Sequence, residues 1–284
     1  LHLLSRRQRQ MCIRDRMKRT LGLTLLLFAT LFSCMRQEKP LPAELSRAES
    51  VMWEHPDSAL SILRSMPQSS LSSGKNYATW ALLLAQARDK VYGKRLPDSL
   101  NIPSSDKLVQ DAMDYFEKEG NLKRMAQTYY YKGQLLKDQK KITEAMPFFL
   151  KSKEMMTKLD EPLFTYLICQ SLGNTYRYQD LYEESLVQLK DAYQYALRSG
   201  NGERISYALS ELGRTYVHKN EMDSALFYFG KSLDNAQRLG NIELEAMAMG
   251  ELGVVYNKLS QGEKALHYTR KELDLCLQIS SLHK

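Results

Sequence analysis

Between residues 121 and 284 the apolar positions recur at three- and four-residue steps, interrupted by short polar stretches. That period places the apolar side chains along one helix face, so each uninterrupted stretch predicts an amphipathic α-helix. The breaks at Gln179-Asp180, Lys219-Asn220 and Ser260-Gln261 are short enough to join two helices as a tight hairpin. No segment carries the sustained period-two alternation of a half-buried strand. The pattern predicts an all-α chain.

The same pattern repeats along the chain. Gly133, Gly173, Gly213 and Gly253 follow one another at intervals of 40 residues. Tyr176, Tyr216 and Tyr256 stand three residues after the last three, and Leu136 takes that place after the first. Ala145, Ser185, Ala225 and Ala265 come twelve residues after each glycine, and Phe149, Leu189, Phe229 and Thr269 four residues later still. A glycine inside a helix costs about 1 kcal/mol relative to alanine, so four at one register signal a packing demand. The expected arrangement sets the glycine of the first helix against the small Ala or Ser of the second, with the aromatic positions filling the space around that contact. A single hairpin cannot bury its apolar face, so the copies must stack.

Upstream the pattern is weaker but continues. "AELSRAESVMWEHPDSALSILRSM" predicts a helical hairpin broken at His55-Pro56, and its "DSAL" repeats the "DSAL" of residues 223–226. "KNYATWALLLAQARDKVYG" predicts a helix with Tyr77, Trp80, Leu84 and Val91 on one face, and another is expected from Asp106 to Glu119. The segmentation is therefore 43–120 for degenerate pairs and 121–284 for four repeats.

The stretches "SLGNTYRYQDLYEESLVQL", "ELGRTYVHKNEMDSALFYF" and "ELGVVYNKLSQGEKALHYT" resemble the tetratricopeptide repeat. Leu212, Gly213, Tyr216, Ala225 and Phe229 occupy its motif positions. The usual period is about 34 residues, so this chain resembles a longer-period variant. Lys132 departs from the pattern where the other copies have Leu172, Leu212 and Leu252. The resemblance implies a right-handed superhelical α-solenoid of about six helix-turn-helix pairs. It also implies that the first helix of each pair lines a concave groove. By register the groove-facing residues would be Tyr130, Gln134, Gln170, Asn174, Arg177, Ser210, Arg214, His218, Val254 and Asn257. Some members of that family clamp a terminal carboxylate with lysine and asparagine; Asn174 and Arg214 suit such a clamp, but its lysines are missing.

The N-terminal region is different in kind. Lys18 and Arg19 precede a 13-residue run, Leu21 to Ser33, that stops at Cys34. A spanning helix needs roughly 20 apolar residues. A basic stretch followed by a shorter apolar run predicts a secretory signal. "LFSC" resembles the end of a bacterial lipoprotein signal, which implies that Cys34 becomes a lipid-bearing first residue. The expected division is a signal over 17–33 and a tether over 34–42. Residues 1–16, "LHLLSRRQRQMCIRDR", resemble translated sequencing-adapter read-through and are set apart from fold reasoning.

Charge follows the same division. The net charge is +7, and six of those charges come from residues 1–16 together with Lys18 and Arg19. The remainder is nearly neutral, which removes the argument for a nucleic-acid partner in this segment. Cys169 and Cys276 lie 107 residues apart without metal-type spacing and are expected to be buried thiols within helices.

No nucleophile elbow, phosphate loop or zinc-binding helix motif is present. "SGNGERI" could hold an anion before a helix, but its place in the repeat marks it as an inter-helix turn. No catalytic set, metal site or cofactor is expected. The expected function is a lipid-anchored scaffold in a bacterial envelope, facing the periplasm, whose groove binds a protein or peptide partner. The alternative is the sensing half of a larger regulator.

Overall fold

The computed structural model describes residues 40–92 and 105–282. The chain divides into two units, residues 1–42 and 43–284. Residues 1–39 lie outside the described part, and with them the expected signal and the lipid site at Cys34.

Within the second unit the described residues form twelve α-helices and no strand. These are α1 (Ala43–Val51), α2 (Pro56–Ser65), α3 (Gly74–Tyr92), α4 (Ser105–Glu119), α5 (Leu122–Asp138) and α6 (Ile142–Lys158), then α7 (Pro162–Arg177), α8 (Tyr182–Ser199), α9 (Gly202–His218), α10 (Met222–Leu239), α11 (Ile242–Lys258) and α12 (Gly262–Leu282). A short 3-10 turn, Gln68–Leu71, precedes α3. Six hairpins stack in chain order as a right-handed superhelical solenoid. The first helices of successive hairpins also touch one another throughout, as α1 touches α3, α5 touches α7 and α9 touches α11, whereas the second helices do not. First helices therefore crowd the inner side and second helices fan outward.

The spacing of the hairpins is set by how each helix stops. A left-handed residue occurs every twenty residues: Gly120, Lys140, Asp160, Asp180, Gly200, Asn220, Gly240 and Ser260. Such a residue turns the chain and returns an N–H to the last helical turn. The Leu181 N–H donates to the Tyr176 carbonyl at 3.0 Å, and the Glu221 N–H to that of Tyr216 at 2.9 Å. Between repeats the left-handed residue is glycine at three of the four turns, and each of those glycines is followed by an asparagine that caps the next helix. The Asn121, Asn201 and Asn241 side chains accept from the backbone N–H of Arg124, Arg204 and Leu244 at 3.0 Å.

The repeat glycines make a more specific contact than their spacing implied. A methyl group placed on Gly133, Gly173 or Gly213 would come within 2.7, 2.5 and 2.5 Å of Phe149, Leu189 and Phe229 respectively. The notch left by each glycine is thus filled by the large side chain sixteen residues on. The small positions Ala145, Ser185 and Ala225 are fully buried beside that contact, and Ala265 nearly so. Ala59, in the first "DSAL", is buried like Ala225 in the second.

Two expectations are corrected. Helix α3 does not have one buried face: residues 81–88 are all buried, because α1, α2, α4 and α5 surround it. Cys169 is buried, but Cys276 is exposed. Its counterparts 40 and 80 residues earlier, Ala236 and Ala196, are covered completely. Among the described residues no helix covers that face of α12, and Leu266, Leu273 and Leu277 are exposed with it.

Candidate functional site

The residues assigned to the groove separate into three groups. The first is buried and cannot meet a partner. Tyr130 is 4 % exposed and Ser210 1 %. The Tyr130 hydroxyl accepts from Gln134 Nε2 at 2.7 Å, and its ring packs edge-on to Phe164 at 5.1 Å. Ser210 Oγ is bonded to Ser232 Oγ at 3.1 Å, joining α9 to α10.

The Phe164 ring that packs on Tyr130 is itself met by a part of the chain that periodicity does not connect to it. Trp53, in the turn between α1 and α2, reaches Phe164 edge-on at 6.4 Å. Lys90 Nζ lies 3.6 Å from the Trp53 ring centre, and the Arg204 guanidinium lies 5.3 Å from both Trp53 and Tyr166. A cation against an aromatic face recovers part of the solvation lost on burial. Burial, with the neighbouring Arg204 charge, still pushes the Lys90 amine down to about 8. Aromatic and cationic side chains thus tie the turn between α1 and α2 to the ends of α3, α7 and α9.

The second group is spent on holding helices together. Arg177 Nη1, from α7, donates to Glu211 Oε2 on α9 at 2.7 Å. Glu211 Oε1 accepts from Arg214 Nη1 at 2.8 Å, and Arg214 Nε donates to Glu251 Oε1 on α11 at 2.6 Å. Arg177 and Arg214, expected to grip a ligand, are instead rungs of a ladder that ties α7 to α9 to α11. The acidic partners sit 34 and 37 residues after their arginines, one repeat further on.

The third group lies on or beside an open cleft of about 490 Å³. The ladder forms one wall, and Val217, Met247 and Val254 supply apolar surface. His218 is exposed at its edge and stacks on Tyr182 at 6.1 Å. Gln170 and Asn174 are half-buried and Asn257 is exposed, and none of the three lines the cleft. The Oδ1 of Asn174, like the Oε1 of Gln134, is buried without a partner. Glu251 and Glu272 also line the cleft. Sequence reasoning passed over both; for Glu251 the available signal was an acidic residue one repeat beyond the inward-facing Arg214.

Glu251 is electrostatically the most perturbed carboxylate on this surface. Its Oε2 is buried without a hydrogen-bonding partner, and the nearby Ser210 hydroxyl is engaged with Ser232. Burial pushes the carboxyl up to about 7, against the opposing pull of Arg214. An acid whose folded value lies above its unfolded value of about 4.3 binds more protons when folded. Stability from this group is therefore complete below about pH 4.3 and is lost as pH rises through 7. Glu251→Gln is expected to flatten that slope, raising stability at pH 8 relative to pH 5 by on the order of 2 kcal/mol. Urea melts of both proteins at the two pH values measure it; parallel pH dependence would refute the assignment.

No protein-family model and no curated protein matches the sequence. Solved structures do match. The apo form of RapI aligns with a TM-score of 0.69 at 14 % identity, over 84 % of this chain and 66 % of that one. A signal-transduction ATPase with a tetratricopeptide repeat sensor, from Pyrococcus horikoshii, gives 0.62 at 18 % identity, over 78 % of this chain and 34 % of that one. A Rap protein complexed with competence and sporulation factor gives 0.58 at 12 % identity, over 89 % and 81 %. The fold is tetratricopeptide-repeat-like.

In such a solenoid the first helices face inward, which is where the ladder and the cleft lie. Among the described residues no group of three or more His, Cys, Asp or Glu side chains is placed to hold a metal ion. No described helix is long and apolar enough to cross a membrane.

Proposed function

We infer that this chain is a non-catalytic interaction scaffold that receives a protein or peptide partner on its inner surface. The observation that carries this reading is the open cleft between α9, α11 and α12, walled by apolar side chains and a fixed charge ladder. Apolar area with a few oriented charges is what a specific protein contact uses. The residues lining the cleft run from Arg177 to Glu272, so the partner docks towards the C-terminal hairpins. The Rap protein solved with competence and sporulation factor has this type of fold, which is compatible with the reading. The longer period of 40 residues sets this chain apart from the usual repeat of about 34.

We further assign the chain to a bacterial envelope, held by a lipid on Cys34 after removal of residues 17–33, with the repeats facing the periplasm. The support is the sequence pattern alone: a basic pair, a short apolar run and a cysteine. Cys34→Ser is expected to shift the protein from the membrane to the soluble fraction; retention in the membrane would defeat the lipid assignment. Crosslinking in the native envelope, followed by identification of what is attached to α9, α11 or α12, tests the scaffold itself. Capture of nothing above background would defeat it.

A second reading makes the repeats the sensing half of a larger regulator. The exposed Leu266, Leu273 and Leu277 on α12 favour it, since that face matches faces that other helices cover. The mass of the protein isolated from its native source decides between the two.

A further inference from the structure

One carboxylate of the inner cleft stands without a counter-ion among the described residues. Arg177 and Arg214 are both already engaged, by Glu211 and Glu251. Glu272, on α12, lines the same cleft and has no hydrogen-bonding or ionic partner among the described residues. Its position is unusual within the repeat. The equivalent residues 120 and 40 positions earlier, Ser152 and Ser232, are fully buried and donate to the backbone carbonyls of Ala126 and Ser206. At Glu272 the longer side chain instead projects across α11, over Gly250. A methyl group on Gly250 would stand 2.5 Å from Glu272 Oε1 and 2.7 Å from Cδ. Tyr130, Gln170 and Ser210 hold the register of Gly250 in the other copies, so only this copy leaves a notch for the carboxylate. Beside it, Met247 and Val254 offer apolar surface, Val254 being 56 % exposed.

The geometry points to a receiving pocket for a basic side chain of the partner, in which the head of a lysine or arginine pairs with Glu272 and its methylene stem lies on Met247 and Val254. Long basic side chains place their stems on apolar surface while the charge meets a counter-ion. An anionic side chain has no such place, because the donors of Arg214 are already committed to two carboxylates. The cleft, at about 490 Å³, also leaves room for the backbone that carries the side chain. This inference rests on the scaffold reading and specifies what the partner presents.

Fluorescence anisotropy with four labelled twelve-residue alanine-serine peptides tests it. They differ only at a central lysine, norleucine, glutamine or glutamate. The lysine peptide is expected to bind about five- to tenfold more tightly than the norleucine peptide, and the glutamate peptide most weakly. The lysine advantage should shrink as salt rises. Glu272→Gln should abolish it while leaving norleucine binding unchanged. Gly250→Ala, which displaces the carboxylate from its notch, should reduce it as well. Equal binding of lysine and norleucine, tightest binding of glutamate, or a lysine preference that survives Glu272→Gln overturns the pocket. Binding of none of the four at millimolar concentration overturns it too. The envelope crosslinking judges the scaffold separately: capture without lysine preference leaves the scaffold standing and removes the pocket.

Discussion

Gly213→Ala is expected to destabilise the protein by about 2 kcal/mol, and Gly230→Ala to stabilise it by about 1 kcal/mol. Both glycines lie inside helices, α9 and α10. Both substitutions gain the same intrinsic preference, because alanine restricts the unfolded chain and favours the helix. They differ in what the added methyl meets. At Gly230 nothing lies within 4 Å. At Gly213 the methyl would stand 2.5–2.9 Å from Cε1, Cδ1 and Cζ of Phe229. That ring is planar, almost fully buried, and packed with Ala225, Leu252 and Val255. It cannot rotate out of the way without opening the contact between α10 and α11. Overpacking of this kind costs about 1–3 kcal/mol or more, which exceeds the helix gain. Thermal melts followed by circular dichroism separate the cases, with midpoints moving in opposite directions. A rise for both would show that the glycine notch is not what fixes the hairpin. Phe229→Leu is not expected to rescue Gly213→Ala, because Leu189 fills the Gly173 notch at the same distance. Truncation to Phe229→Ala should make the pair less than additive.

The glycine notch marks how far the sequence can be read. Period, turn positions and hairpin order are local properties, and local residues announce them. Gly200-Asn201 and Gly240-Asn241 carry both the left-handed turn and the following cap in two letters. Which side chain enters the notch was less legible, since small Ala225 and large Phe229 lie one turn apart on the same helix. The inner surface was legible only in part. Register gave Arg177 and Arg214 as groove-facing, and both border the cleft, yet nothing local shows that Glu211 and Glu251 lie opposite them. Trp53 is the extreme case. It meets Arg204 across 151 residues, through the curvature of the stack, and no repeat-based pattern contains that distance. Cys276 failed for the opposite reason: its helix pattern matches Ala236, but among the described residues no helix covers α12 as Ala236 is covered.

Glu211→Leu is expected to lose about 3 kcal/mol, and adding Arg177→Met to recover most of it. The Arg177 and Glu211 side chains are each only 10 % exposed. With Glu211 gone, Arg177 keeps only the residue-211 carbonyl at 3.3 Å and Thr215 Oγ1 at 3.4 Å, neither charged. A guanidinium held out of water without a counter-ion is the costly state, and it is created by the single substitution. Arg214 suffers less, because Glu251 remains bonded to it and its own side chain is 41 % exposed. The double variant removes both buried charges and fills the space with apolar atoms, which commonly matches the stability of the original pair. Urea denaturation of the two single variants and the double gives the coupling directly. A double variant as unstable as Glu211→Leu would mean that the loss comes from packing around residue 211 and not from the stranded arginine. Recovery in the double variant would instead show that the ladder contributes little net stability. Its value would then lie in fixing the angle between α7, α9 and α11, and so the shape of the cleft that those helices enclose.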